Sequence, residues 1–493
     1  MNAQLIMKQK FLPLALLLFG STLAVAQSYG SAPNTIPTPR PLDPATNSTN
    51  PSASATQAQN PYLGSVPGAP LVGGTLQLSL QTAVQLALRS NLGLIDSSEK
   101  NTAAYAARMQ ALSNLLPQLN ASASEHYAEL QTTPGAGRKM GLNPLYGPYT
   151  YQTAQVDLAQ TVFDAHELYG LRAASANARA ASFNNLDSRN IVVLAAASAY
   201  LAIAASQSRL QADEAQLGSA QATEKLMQDR VEHSVSPQID LIRATVAAQT
   251  AAQRVDLARI QLEKDKLSLT RIIGLPIEQQ FTLTTPLAYR EAPSVSADDL
   301  LATARAHRAD LRAAEARLQA AGLAVKAAEA RRLPSVHVVA AEAASGVTTA
   351  HLYGNYDVGG SIRVPLFTGG AIAADVTASR AEQNQRSAEL KDLEARVQFD
   401  LRTALLDLEG ARKSVAVASQ NMALAAEGMK EARDRFDVGL SNALEVIEAQ
   451  QATAEARDNY ISSVYAHNLA RLMLIRSTGT AERDLPATMG VQP

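Results

Sequence analysis

The stretch "RVEHSVSPQIDLIRAT" (Arg230 to Thr245) returns in outline 205 residues later as "RFDVGLSNALEVIEAQ" (Arg435 to Gln450). "LSLTRIIGLP" (Leu267 to Pro276) answers "LMLIRSTGTA" (Leu472 to Ala481) at the same offset, with Leu, Leu, Arg and Gly in register. "NLLPQLNASASE" from Asn114 resembles "ARRLPSVHVVAAE" from Ala330, setting Pro117 against Pro334. "DLAQTVFD" from Asp157 resembles "SIRVPLFTGG" from Ser361, setting Phe163 against Phe367. So long a period is no solenoid unit of about 20–50 residues. It is a duplication, and it obliges both halves to adopt one plan.

Each copy reads as helix, two strands, long helix, tight turn, helix. In the second copy, Leu401, Ala404, Leu408, Ala411 and Val415 begin a seam that reaches Phe436 in alternating steps of three and four. That is coiled-coil spacing kept for about five heptads. After the first turn the same rhythm runs from Leu241 through Ala244, Ala248, Ala251, Val255 and Ala258 to Leu262. Long helices expected from about Ala165 to Glu232 and from about Ala371 to Asp437 would each reach roughly 100 Å at about 1.5 Å per residue. A bundle or a tube can hold helices of that length.

Strand pairs are expected at about 117–130 with 150–163, and at about 334–345 with 355–367. Leu119, Ala121 and Ala123 alternate with Asn120, Ser122 and Ser124, and Tyr356, Val358, Ile362 and Val364 alternate with Asp357, Gly359, Ser361 and Arg363. Such alternation marks outer-membrane strands and, equally, any half-buried soluble strand. The intervening segments, His126 to Tyr149 and Ser345 to Asn355, read as loops. Four lipid-facing strands cannot close a barrel, which takes about eight or more, and open edges cannot sit in lipid. They demand partners, and a trimer would supply twelve.

The chain ends frame this plan. Residues 1–26 combine a basic start, the apolar "FLPLALLLFG" and an Ala24-Val25-Ala26 cleavage site, the pattern of an export signal. Residues 27–75, rich in Pro, Ser, Thr and Asn, read as a flexible tether. The first repeat is expected over 76–275 with its turn at 233–236, and a linker over 276–295. The second spans 296–479 with its turn at 438–441, before a short tail at 480–493. No later apolar run is expected to cross a membrane as a helix. With no cysteine, disulfides, thiolate metal sites and an N-terminal lipid anchor are excluded. A net charge of −2 without charge blocks argues against a nucleic-acid partner. The seven histidines are scattered, and no serine-hydrolase elbow, P-loop, zinc-protease or dinucleotide motif occurs. No catalytic, cofactor-binding or metal set is therefore expected.

Together, the Leu-Pro entry to each strand pair, "PLFTGG" (Pro365 to Gly370), the second turn and the duplication resemble the TolC-type outer membrane efflux proteins from Leu76 to Gly479. The resemblance implies a mainly α fold with a transmembrane β element. Three chains would form a twelve-stranded outer-membrane barrel on a coiled-coil α-barrel reaching through the periplasm. It implies an exit duct of a tripartite efflux or type I secretion system, without enzymatic activity. Its partners would be a periplasmic adaptor, an inner-membrane transporter and outer-membrane lipid.

By the same resemblance the two turns are periplasmic tips facing the adaptor: Val438, Gly439, Leu440 and Ser441 in the second, Ser234 and Val235 in the first. Gly439 suits a turn of positive φ, Ser441 the N-cap of the returning helix, and Pro237 its counterpart's first turn. Ser234 stands where the second turn has glycine. Glu445 and Glu448 occupy the family's acidic-ring positions at the tunnel mouth. Asp240 holds the acidic place of the family's closing lock, whereas Ser441 and Phe436 replace its basic and phenolic members. Arg243 is then the candidate partner of Glu445 or Glu448. Pro117, Pro334, Pro365, Gly369 and Gly370 mark strand–helix corners. Two rival readings are a structural coiled-coil surface protein and a periplasmic adaptor.

Overall fold

A computed structural model describes residues 60–489 apart from 69–70, 72, 132–144, 287, 292–295 and 349–350. The expected signal peptide and most of the expected tether lie outside these residues.

The two copies run in parallel. The first comprises β1 (Leu76–Leu78), α1 (Leu80–Ser90), α2 (Leu92–Ser113), β2 (Gln118–Gln131), β3 (Leu145–Phe163), α3 (Ala165–Glu232) and α4 (Gln238–Ile273). The second comprises β4 (Phe281–Leu283), α5 (Ala297–His307), α6 (Ala309–Ala330), β5 (Ser335–Thr348), β6 (His351–Arg363), α7 (Ala371–Asp437) and α8 (Ala443–Ser477), followed by α9 (Ala481–Met489). Both long helices have the limits read from their apolar spacing. Every seam residue named above on α4 and α7 is buried or half-buried, so the three-four spacing records packing within the chain.

A short two-stranded sheet joins the two copies. β1 and β4 pair in parallel, Leu76 opposite Phe281. Around them Leu80, Val192, Val193, Ile203, Leu269 and Ile273 form the largest core cluster. The Tyr200 hydroxyl donates to the Leu78 carbonyl at 3.1 Å and accepts from the Thr285 N–H at 3.1 Å. The expected linker therefore contributes a strand to the joint, and the expected tail contributes α9, whose Ala481, Leu485 and Met489 enter the same core. The tether is likewise docked at its end. Asn60 caps a short turn at Pro61–Leu63, and the Tyr62 ring lies so close over Gly93 that a Cβ there would stand 2.4 Å away.

Among the described residues α3 is long and apolar enough to cross a membrane, against the expectation of none. Its apolar stretch is explained by the joint, where Val192, Val193, Ala196, Ala197 and Tyr200 are all buried.

The remaining strands form one antiparallel sheet ordered β2-β3-β5-β6. Register puts Leu119, Leu158, Ala340 and Val358 on one rung and face, and Asn120, Asp157, Ala341 and Asp357 on the next rung and opposite face. One face is thus largely apolar, interrupted by Glu342 beside Tyr356, and the other largely polar. The strands run further than expected into the segments read as loops: β3 begins at Leu145, β5 reaches Thr348 and β6 begins at His351. Aromatic residues favour that extended pairing. β6, by contrast, ends at Arg363, four residues short of the expected limit.

Candidate functional site

Far from the sheet, the α3–α4 and α7–α8 hairpins end in two tips of the same construction. α3 closes with the Val235 N–H donating to the Arg230 carbonyl at 2.7 Å, and α7 with the Leu440 N–H donating to the Arg435 carbonyl at 2.8 Å. Both turns need a left-handed residue, as helix C-termini often do. Gly439 supplies it at φ 75°, and Ser234 adopts φ 61° despite its side chain. The tips present apolar side chains outward, with Val235 69%, Val438 70% and Leu440 73% exposed.

The returning helices start differently from expectation. Asn442, not Ser441, caps α8, its side-chain oxygen accepting from the Glu445 N–H at 3.2 Å. Asn442 is the last extended residue before α8, and from there its side-chain carbonyl reaches the third helical N–H. Ser441 Oγ is buried without a hydrogen-bond partner. Pro237 sits one place before α4, at its N-cap.

The expected pairing of Arg243 with Glu445 or Glu448 is corrected. Arg243 lies 3.6 Å from Asp240, three residues earlier on α4, while Glu445 pairs with Arg435 of its own hairpin at 3.2 Å. The i,i+3 spacing makes the local partner the nearer one. Glu448 is exposed one turn beyond Glu445. Both acids lie near the N-terminus of α8, where the helix dipole favours negative charge.

Contacts that no single stretch announces hold the two hairpins together. The Arg230 guanidinium lies 4.1 Å from the centre of the Phe436 ring, joining the ends of α3 and α7 by a cation–π contact. Below it Met227, Ala244, Phe436, Val446 and Ile447 form an apolar plug. One level further, Gln450, 2% exposed, donates from α8 to Thr223 Oγ1 at 2.8 Å and Ser219 Oγ at 3.1 Å on α3. Arg433 of α7 donates to the same Ser219 hydroxyl at 2.6 Å. A signal for the first contact existed, since Arg230 and Arg435 are repeat equivalents, but only their partners reveal that they diverge.

At the opposite end Pro117 and Pro334 immediately precede β2 and β5, and Pro365 follows β6. Gly369 and Gly370 turn the chain into α7 with φ 60° and 89°. Among the described residues no group of His, Asp and Glu could hold a metal ion.

A family model described as outer membrane efflux protein matches residues 83–275 and 300–480, one segment for each repeat. The pyoverdine export outer membrane protein OpmQ of Pseudomonas putida is 26% identical over 63% of this chain and 67% of its own. The outer membrane efflux protein BepC of Brucella suis biovar 1 is 24% identical over 72% of this chain and 78% of its own. The solved outer membrane channel CmeC of Campylobacter jejuni superposes with a TM-score of 0.71 at 15% identity, covering 92% of this chain and 98% of that one.

Proposed function

The chain belongs to the outer membrane efflux protein family, and from that premise we propose that three copies close one transmembrane duct that serves a tripartite efflux or type I secretion machine. The observation that carries the reading is the sheet. It has four antiparallel strands, an apolar and a polar face, and unpaired outer edges on β2 and β6. Backbone groups on such edges have no partner in lipid, so only closure makes the sheet stable there. Three sheets provide about twelve strands, within the range of known barrels.

The helices support the same assembly. Opposite the buried seams, α7 leaves Phe399, Leu406, Val417 and Leu424 exposed, and α4 leaves Ile242, Val246, Leu257 and Ile260 exposed. Their steps of three, four, seven and eleven keep each set on one helix face. Such stripes favour burial against further helices, which fits walls shared between protomers around a periplasmic tunnel. At the tips, Ser234, Val235, Val438, Gly439, Leu440 and Ser441 would meet helical hairpins of a periplasmic adaptor, which in turn engages an inner-membrane transporter. Glu445 and Glu448 would line the mouth, with Asp240 and Arg243 beside it. Transport through such a duct is passive, and the hairpin contacts set its resting aperture.

Light scattering on detergent-solubilised protein tests the assembly. We expect three protomer masses together with ion conductance in planar bilayers. A stable monomer that conducts would end this reading. Resistance to carbonate extraction separates it from a structural coiled coil or a soluble adaptor.

A further inference from the structure

The duplication specifies how one protomer's sheet joins the next. Within the chain, the contact between the repeats is β3 against β5. β2 and β5 are equivalent, as are β3 and β6, so the outer edge of β6 and the outer edge of β2 are the two halves of the same kind of contact. Gln118, just after Pro117, pairs with Ala159, and Ser335, just after Pro334, pairs with Arg363. Counting from those rungs equates Asp157 with Ser361, the match already made by sequence, and Ala341 with Ser124.

Resting on the trimeric reading above, the geometry points to a defined inter-protomer register. Ser361 of one copy lies opposite Ser124 of the next, and Arg363 lies opposite Ser122. These rungs are the images of Asp157–Ala341 and Ala159–Val339 in the β3–β5 contact.

Two independent observations agree with it. The first is facing: Ser122, Ser124, Ser361 and Arg363 all belong to the polar face. The transferred register therefore keeps bore against bore, whereas a one-residue slip would turn an apolar face inward. The second is the early end of β6. The last residues of β3, Gln160 to Phe163, extend past the first β2 rung and have β5 as their one paired strand, with Phe163 opposite Val336. Their equivalents, Val364 to Phe367, have only the next copy's β2 to hold them. In the single chain they leave the strand, with Leu366 93% and Phe367 91% exposed. The image of Phe163–Val336 is Phe367 against Leu119 of the next copy, two exposed apolar side chains brought together. Pro365 falls at the place of Thr161, beside the register shift that β3 carries against β5 between Thr161 and Phe163, and bulges are among the few strand positions where proline is found. We therefore expect β6 to extend to Phe367 on assembly.

Paired cysteine substitutions test the register, and the full-length chain has no cysteine of its own to interfere. Ser124→Cys with Ser361→Cys, and separately Ser122→Cys with Arg363→Cys, should oxidise in isolated outer membranes to covalent trimers. Opposed residues stand about 4.5–5.5 Å apart, within disulfide reach. The crossed combinations, Ser122→Cys with Ser361→Cys and Ser124→Cys with Arg363→Cys, place the thiols on diagonals of about 7–8 Å. They should link at least about tenfold less, since bridging needs Cα atoms within about 6.8 Å. Links inside one protomer are out of reach, because β2 and β6 are three strand spacings apart, about 14 Å. Crossed pairs that link as well as the direct ones overturn the register and leave the trimer standing, as does failure of all four pairs in material of trimer mass. A monomer mass overturns the trimer itself.

Discussion

At Ser234 a residue with a Cβ occupies a backbone region that its repeat equivalent, Gly439, enters freely. A left-handed L-residue costs about 1–2 kcal/mol. Ser234→Gly should therefore slow hydrogen exchange at the first tip by roughly the factor that about 1 kcal/mol implies. Gly439→Ala should quicken it at the second. No atom lies within 4 Å of a Cβ built at Gly439, so the penalty there is backbone strain without a clash. Equal exchange in all three proteins would show that the tips do not feel their turns. Arg230 offers a second prediction at this scale. Its contact with the Phe436 ring is worth about 0.5–2 kcal/mol, and Arg230→Gln should raise the conductance of the purified channel by loosening one hairpin from the other. Phe436→Leu should do the same, and the double substitution should add little. Full additivity would mean that the two side chains do not act on each other.

Among elements, the seam and the tips were far more legible than the contacts between hairpins. Leu401 to Phe436 announces its buried face because a helix repeats its contacts at a fixed step. The turns announce themselves through Gly439 and Pro237. Nothing in a one-dimensional period states the rotation of α3 against α8, so Gln450 with Ser219 and Thr223, or Arg230 over Phe436, could not be read in advance. Arg243 was misassigned for the same reason, as the nearby Asp240 decides its partner. α9 and the docked Tyr62 were missed because short segments carry too few turns to show a period. His467, buried on α8, also predicts a pH response. Burial holds the His467 pKa below the usual imidazole range; the Arg290 carbonyl, 3.0 Å from Nε2, works the other way, and the Arg471 cation adds to the lowering. A depressed folded pKa means that the unfolded chain binds the proton more readily. Stability from the neutral ring is therefore complete above about pH 6.5 and declines as pH falls through the folded value. The melting midpoint of His467→Gln should fall less than that of the parent protein between neutral pH and about pH 5. Parallel declines would assign the acid sensitivity elsewhere.

For the whole molecule, the threefold closure proposed above would turn two carboxylates per chain, Glu445 and Glu448, into six around one mouth. Glu445 is partly neutralised by Arg435, whereas Glu448 has no ion-pair partner among the described residues. In that assembly, neutralising Glu448 would remove charge from the mouth without breaking an ion pair described within the protomer. Glu445→Gln both removes charge and frees Arg435, so its effect on the open–closed balance should be larger. Crowded like charges attract cations and repel anions over the screening length, about 10 Å at about 0.1 M salt and about 3 Å at about 1 M. Reversal potentials across a salt gradient should therefore show lower cation preference for Glu448→Gln than for the parent channel in dilute salt. The two should converge in concentrated salt, where each carboxylate is screened within its own diameter. If the difference persisted unchanged at about 1 M salt, or never appeared in dilute salt, Glu448 would lie away from the conduction path. The tips would then meet in some arrangement other than a common mouth.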